Sequence, residues 1–75
     1  MEKELCDLEP GQSGVLTELV GDSAVLARLK VFGMVPGTAV ICRYQGPGKH
    51  LYGIECRGAV IALRKYDLKK IRVRV

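Results

Sequence analysis

Residues 28–37, Arg-Leu-Lys-Val-Phe-Gly-Met-Val-Pro-Gly, decide how this 75-residue chain folds, because they join a helix end to a turn. Gly33 lacks a Cβ and so accepts the left-handed backbone that commonly ends a helix. Pro36 and Gly37 form a turn pair, since proline fixes φ and glycine tolerates positive φ. The stretch therefore predicts a helix that stops at Gly33 and a turn before the next element.

The residues before that glycine contain the one convincing helix of the sequence. Asp22 or Ser23 is placed to cap its first amides, and the helix itself is predicted over residues 24–32. Apolar residues recur at spacings of four and three, which places them on one face. The predicted core face consists of Val25, Leu29 and Phe32.

The rest of the chain is predicted to be β structure. Short apolar runs alternate with polar residues and are punctuated by glycine, and Gly46-Pro47-Gly48 supplies a hairpin bend. Strands this short, with little helix, favour a small barrel of about five strands, which also removes most unpaired edges. The predicted strands are residues 13–20, 39–44, 51–57, 59–63 and 71–75, with a tight turn or single helical turn at 66–68.

The hairpin predicts part of the core. Alternation puts Val40, Cys42 and Tyr44 on one face of the first strand. It puts Tyr52, Ile54 and Cys56 on one face of the second. We therefore expect Val40, Cys42, Ile54 and Cys56 to pack together.

Length and composition predict one domain over residues 1–75 that is neither exported nor inserted in a membrane. The chain is 48% hydrophobic, which is ordinary for a folded domain, and it has no apolar run near the ~18 residues that span a bilayer. Its first residues are acidic where a signal peptide is basic. Three widely spaced cysteines suit reduced, buried thiols, as in a cytoplasmic protein.

Residues for catalysis or ligand binding are missing from the sequence. The only histidine, His50, has no nucleophile motif around it, and Gly46–His50 lacks the spacing and the hydroxyl residue of a phosphate loop. Cys42, Cys56 and His50 provide fewer than the four ligands of a structural metal site. The sequence therefore predicts a non-enzymatic protein without a cofactor or metal site.

The formal net charge of +4 owes much to the C-terminal stretch. We interpret its charges as those of a solvated edge strand, although they would also suit an acidic partner. A nucleic-acid interface, with Tyr44 and Tyr52 as a stacking platform, is an alternative for a basic small barrel, but no nucleic acid is expected as a partner. The basic residues are Arg64, Lys65, Lys69, Lys70, Arg72 and Arg74, opposed by Asp67.

Three blocks together resemble the FeoA family. The first is residues 28–37 with its Arg-Leu pair, helix-ending glycine and Pro-Gly. The second runs from Arg57-Gly58 through residues 61–65 to Ile71 and Val73, and the third is the opening turn, residues 8–12. The loop at residues 46–51 departs from the family's Ala-Pro-Leu-Gly-Asp-Pro, of which only Pro47 remains.

The resemblance implies an SH3-like barrel and a regulatory role in ferrous iron transport. The implied partner is the cytoplasmic G-domain region of a FeoB-type iron transporter, for which an exposed Arg28 would be a candidate arginine finger. The same barrel occurs in iron-dependent repressors as their C-terminal domain, so a free-standing regulatory module is the alternative. The expected partner-binding residues, from the helix end and the turn, are Arg28, Leu29, Gly33, Met34, Pro36 and Gly37.

Overall fold

The structure is a computed structural model that describes residues 1–21, 23–68 and 70–75. Asp22, one of the two predicted helix caps, and Lys69, one of the basic residues, lie outside them. The strands are β1 (Glu2–Glu4), β2 (Ser13–Leu19), β3 (Ala39–Gln45), β4 (Leu51–Cys56), β5 (Ala59–Arg64) and β6 (Ile71–Arg74). The helices are α1 (Ser23–Val31) and α2 (Lys65–Leu68), and short 3₁₀ turns span Leu5–Asp7 and Pro47–Lys49.

The six strands form one antiparallel sheet in the order β1-β6-β2-β3-β4-β5. The sequence predicted about five strands, and the additional one is β1. Glu-Lys-Glu has no apolar alternation, so β1 forms only because β6 pairs with it, Glu2 opposite Arg74 and Glu4 opposite Arg72. The Arg72 Nε donates to Glu2 Oε1 at 3.3 Å. The interpretation of the C-terminal strand as an edge was therefore wrong, since β6 lies between β1 and β2.

The sheet curls around a single core in the mainly β, SH3-like arrangement. In the described chain β1 and β5 stay unpaired with each other, and α2 lies against the 3₁₀ turn Leu5–Asp7. The predicted alternation of β4 is confirmed, because Tyr52, Ile54 and Cys56 are all buried. The buried apolar residues are Leu5, Cys6, Leu8, Leu16, Leu29, Met34, Val40, Cys42, Tyr52, Ile54, Cys56, Ile61, Leu63, Ile71 and Val73.

The predicted face of the helix is confirmed in part. Leu29 is buried in the core and Val25 packs against it half-buried. Phe32, the third predicted member, is 40% exposed. The helix ends at Val31, so the helical spacing no longer sets the direction of the Phe32 side chain.

A β-bulge in β3 corrects the predicted position of Tyr44. Cys42 pairs with Ile54, but Tyr44 pairs with Gly53, so two residues of β3 oppose one of β4. The bulge turns the Tyr44 side chain away from the core. On the outer face Tyr44 is 44% exposed and lies directly over Gly53. The predicted packing of the hairpin core is otherwise confirmed, with Val40 opposite Cys56 and both fully buried.

Candidate docking surface

The end of α1 is closed by a pair of backbone hydrogen bonds. Gly33 N–H donates to Lys30 O at 2.9 Å, and Met34 N–H donates to Leu29 O at 3.1 Å. With Gly33 at φ +84°, this is a Schellman motif, in which a left-handed residue lets the chain reverse. The motif usually brings two apolar side chains together across the helix end, and here Leu29 and Met34 are both buried.

The turn that follows fixes the next loop to the sheet. Thr38 N–H donates to Val35 O at 3.1 Å, with Gly37 at φ +94° as the third residue of the turn. Gly37 N–H donates to Leu16 O at 2.7 Å, and Leu16 N–H donates to Thr38 O at 2.9 Å. These bonds hold the loop beside β2 and leave Pro36 exposed.

A groove of about 220 Å³ lies between α1, this loop and the end of β2. Its walls are mainly aliphatic, and Lys30 contributes the single charged side chain among its described lining residues. Leu26 and Lys30 stand four residues apart on α1, so they occupy the same flank of the helix. The groove therefore offers an apolar contact surface with a cation at its rim. It is lined by Leu19, Leu26, Lys30, Val35 and Pro36, with Met34 beneath.

The predicted binding residues divide among three positions in this region. Leu29 and Met34 are core residues with at most 3% exposure, and Gly33 and Gly37 meet backbone demands. Pro36 lies at the groove. Arg28 is exposed on α1, about 160° around the helix axis from Lys30. The Schellman reversal directs the Met34 side chain inward, so it is 0% exposed and lines the groove only from beneath; its contact with a partner stays a prediction.

A sequence model of the FeoA domain matches residues 3–75, nearly the whole chain. The chain belongs to the FeoA domain family. FeoA proteins are associated with ferrous iron transport and form an accessory family rather than a known enzyme family. A comparison with curated proteins finds no match for this FeoA chain.

Solved structures share the FeoA fold. The FeoA protein from Chlorobium tepidum has a TM-score of 0.92 at 23% identity, over 97% of this chain and 70% of that one. A FeoA-like protein from Clostridium acetobutylicum has a TM-score of 0.85 at 26% identity, over 99% and 86%. IdeR from T. acidophilum has a TM-score of 0.85 at 17% identity, over 99% of this chain and 34% of that one, which shows the fold alone.

The FeoA signature at residues 28–37 thus serves mainly to build the helix end, and the groove beside it was missed. Leu19, Leu26, Lys30 and Val35 were not among the predicted contacts. The spacing of Leu26 and Lys30 is a signal that was available, because residues four apart share a helix flank. Leu19 and Val35 carry no comparable signal, since only the fold brings the end of β2 beside the loop.

The cysteines of this FeoA domain are placed as packing residues. All three are free and buried, and burial raises the pKa of each thiol; for Cys6, burial and a hydrogen bond to Glu4 raise it to about 11. Thiols with raised pKa values stay protonated near neutral pH, whereas a metal ligand must be a thiolate. His50 is exposed beside Gly48, at the opposite end of β4 from Cys56. Among the described residues there is no group of three or more metal-ligating side chains.

The two tyrosines considered as a stacking platform are separated by the sheet. Tyr52 is 1% exposed in the core, whereas Tyr44 lies on the outer face over Gly53. Stacking of successive bases requires exposed ring faces, so this pair does not form a platform. Within the described part of the chain, no helix is long and apolar enough to cross a membrane.

Proposed function

We propose that this chain is a non-enzymatic, cytoplasmic FeoA domain over residues 1–75 that docks on the cytoplasmic G-domain region of a FeoB-type ferrous iron transporter and regulates it. Membership of the FeoA family supports the link to ferrous iron transport. The single observation that carries docking is the groove beside α1, an apolar concavity with Lys30 at its rim. Exposed apolar concavities are typical of protein interaction sites.

The chemistry of the groove indicates the kind of segment that it binds. Leu19, Leu26 and Val35 offer aliphatic contacts, so an apolar side chain of the partner would fill the space between them. Lys30 would pair with a carboxylate beside that side chain, which adds electrostatic steering to a small contact area. We expect a partner segment that combines one apolar anchor with an adjacent acidic residue.

Binding of the purified chain to the transporter's cytoplasmic domain tests this proposal. The titration is done without nucleotide, with GDP and with a non-hydrolysable GTP analogue. Leu26→Glu places a charge in the groove and is expected to abolish binding. Ala24→Glu is the matched control, because Ala24 is exposed about 160° around the helix axis from Leu26, and it should bind as the parent does. Absence of binding in every nucleotide state would overturn the proposal.

The alternatives differ in what they bind. A free-standing regulatory module is supported by the shared fold of the repressors, at 14% identity to a manganese-dependent transcriptional repressor. A pull-down from cytoplasm and membranes that recovers a transcriptional regulator, and no transporter, would favour it. A basic barrel that binds nucleic acid would give a salt-dependent gel shift, which docking on a G domain does not predict.

A further inference from the structure

The two edge strands of the sheet, β1 and β5, differ in how well they are protected against pairing with another chain. Each residue of β1, Glu2 to Glu4, carries a charge, and charged edge strands resist strand addition. The other end is β5, which has no charge between Ala59 and Leu63. β5 therefore offers the less protected edge among the described strands.

Hairpin geometry identifies the backbone groups on that edge. Arg57 and Gly58 have φ of 53° and 84° and form a two-residue turn, so the flanking pair Cys56 and Ala59 exchange hydrogen bonds. Bonded and non-bonded pairs then alternate, and Lys65 N–H donating to His50 O at 2.9 Å continues the alternation. The residues whose N–H and C=O groups point away from β4 are Val60, Ala62 and Arg64.

The Arg64 C=O accepts the first hydrogen bond of α2, and the other outward groups have no backbone hydrogen bond to any described residue outside the β4–β5 pair. The side chains of the same three residues face outward as well, since Ile61 and Leu63 occupy the core side. Val60 is 52% exposed, and Ala62 and Arg64 are exposed. The edge therefore presents three free donors, at Val60, Ala62 and Arg64, and two free acceptors, at Val60 and Ala62.

We propose that β5 pairs antiparallel with β5 of a second copy of this chain, about a two-fold axis at Ala62. In this register Ala62 faces its own copy, and Val60 faces Arg64 of the second copy. The three pairs form about four hydrogen bonds, two at Ala62 and one at each Val60–Arg64 pair, where the Arg64 N–H donates to Val60 O. Two six-stranded sheets then join into one continuous sheet across the axis.

Side-chain size and charge favour a second copy of this chain as the partner of β5. Ala62 is small, so the side chains nearest the axis do not collide. The two Arg64 residues lie four residues apart along the strand direction, about 13 Å, which weakens their repulsion. Glu55 lies opposite Val60 within the chain, so it shares a row with Arg64 of the second copy about 10 Å away; because its carboxylate is paired with Arg43 at 2.7 Å, it contributes only a long-range attraction.

Sedimentation velocity across protein concentrations from about 10 μM to about 1 mM tests the pairing. We expect the mass to rise from 8.2 kDa to twice that value. Ala62→Pro removes an N–H that the fold leaves free, and proline is tolerated on edge strands, so this variant should stay folded and monomeric. Ala62→Ser keeps the N–H and should dimerise like the parent.

Charge substitutions at Val60 separate pairing from folding. Val60→Glu faces Arg64 of the second copy but repels Glu55 of its own chain; it should strengthen the dimer on the order of three- to tenfold and lower the Tm. Val60→Lys should weaken the dimer and raise the Tm. These two Val60 variants also test the proposed pairing if circular dichroism shows that Ala62→Pro is unfolded.

Four results would overturn the proposal. The first is a protein that stays monomeric at every concentration, and the second is a dimer that persists in a folded Ala62→Pro variant. The third is the growth of particles larger than a dimer, which would mean that β1 of another copy adds to β5. The fourth is a set of Val60 variants in which dimer affinity and Tm change in the same direction.

Discussion

Arg57 lies across Gly33, so that a Cβ on that glycine would stand 2.8 Å from Arg57 Cδ and 3.0 Å from its Nε. Gly33 ends α1, and Arg57 begins the turn between β4 and β5. Two separate blocks of the FeoA signature thus meet at one contact. Gly33 is required for its φ of +84°, and the space beside it is occupied by the far end of the exposed Arg57 side chain.

Gly33→Ala and Gly37→Ala separate the backbone strain from the effect of the Arg57 contact. Both positions have positive φ, but a Cβ at Gly37 would meet nothing within 4 Å. Gly37→Ala should lower the free energy of unfolding by about 1 kcal/mol from backbone strain alone. Gly33→Ala should cost a similar amount, because the far end of the exposed Arg57 side chain can move aside with little strain. Urea denaturation measures both; if Gly33→Ala costs over about 1 kcal/mol more than Gly37→Ala, and an Arg57→Ala background removes that excess, then Arg57 is held in place and the expectation is wrong.

The helix end was predictable from the sequence because its determinants are local. A Schellman motif needs a glycine and two apolar residues at fixed spacing, and residues 28–37 contain all three. β1 was not predictable, since Glu2–Glu4 forms a strand only through the pairing partner that β6 supplies. The outward turn of Tyr44 was missed for a similar reason, because a bulge is a property of two paired strands.

Tyr44 should act as a cover for the backbone of Gly53. Its ring occupies the space where a side chain at residue 53 would stand. We expect the Gly53 α-proton resonances to be shifted upfield by the ring current, and Tyr44→Leu to abolish that shift and to lower the free energy of unfolding by about 1 kcal/mol. Tyr66→Leu is the control, since Tyr66 is 69% exposed, and it should change stability by less than about 0.5 kcal/mol. Unshifted Gly53 resonances in the parent would contradict this contact.

Alkaline pH should destabilise the protein through its buried thiols. The pKa of Cys6 is about 11 in the folded chain against 9.0 in the unfolded one, so the folded state keeps its proton longer. Its contribution to stability is complete below pH 9 and is lost as the pH rises towards 11. Thermal unfolding from pH 8 to pH 11 should therefore show a falling Tm. Cys6→Ala should flatten that fall, while an unchanged slope would assign it to other groups.

The candidate site was less predictable than the helix end, and for a physical reason. Signature residues such as Leu29 and Met34 are recognisable because the fold depends on them, which also buries them. The groove is formed by residues from β2, α1 and the loop that share no spacing. Of the six residues predicted as contacts, Pro36 and the buried Met34 line the groove, and the other four lie beside it in α1, at the helix end and in the turn.

Lys30 and Arg28 allow the two flanks of α1 to be compared with substitutions of the same kind. Lys30 lies at the rim of the groove, whereas Arg28 is exposed on the opposite flank. If docking uses the groove, Lys30→Ala should weaken binding to the transporter's cytoplasmic domain about two- to fivefold at low ionic strength, and the loss should shrink in high salt. Arg28→Ala should bind within about twofold of the parent, because its charge lies away from the contact.

The same two variants test whether Arg28 acts as an arginine finger. An arginine inserted at a phosphoryl group contributes on the order of a thousandfold to hydrolysis, so its loss could not be overlooked. We expect GTP hydrolysis by the transporter domain to be the same with the parent chain and with Arg28→Ala, both at saturating concentration. A large fall in stimulated hydrolysis with Arg28→Ala, together with unchanged binding of Lys30→Ala, would place the contact on the Arg28 flank instead of the groove.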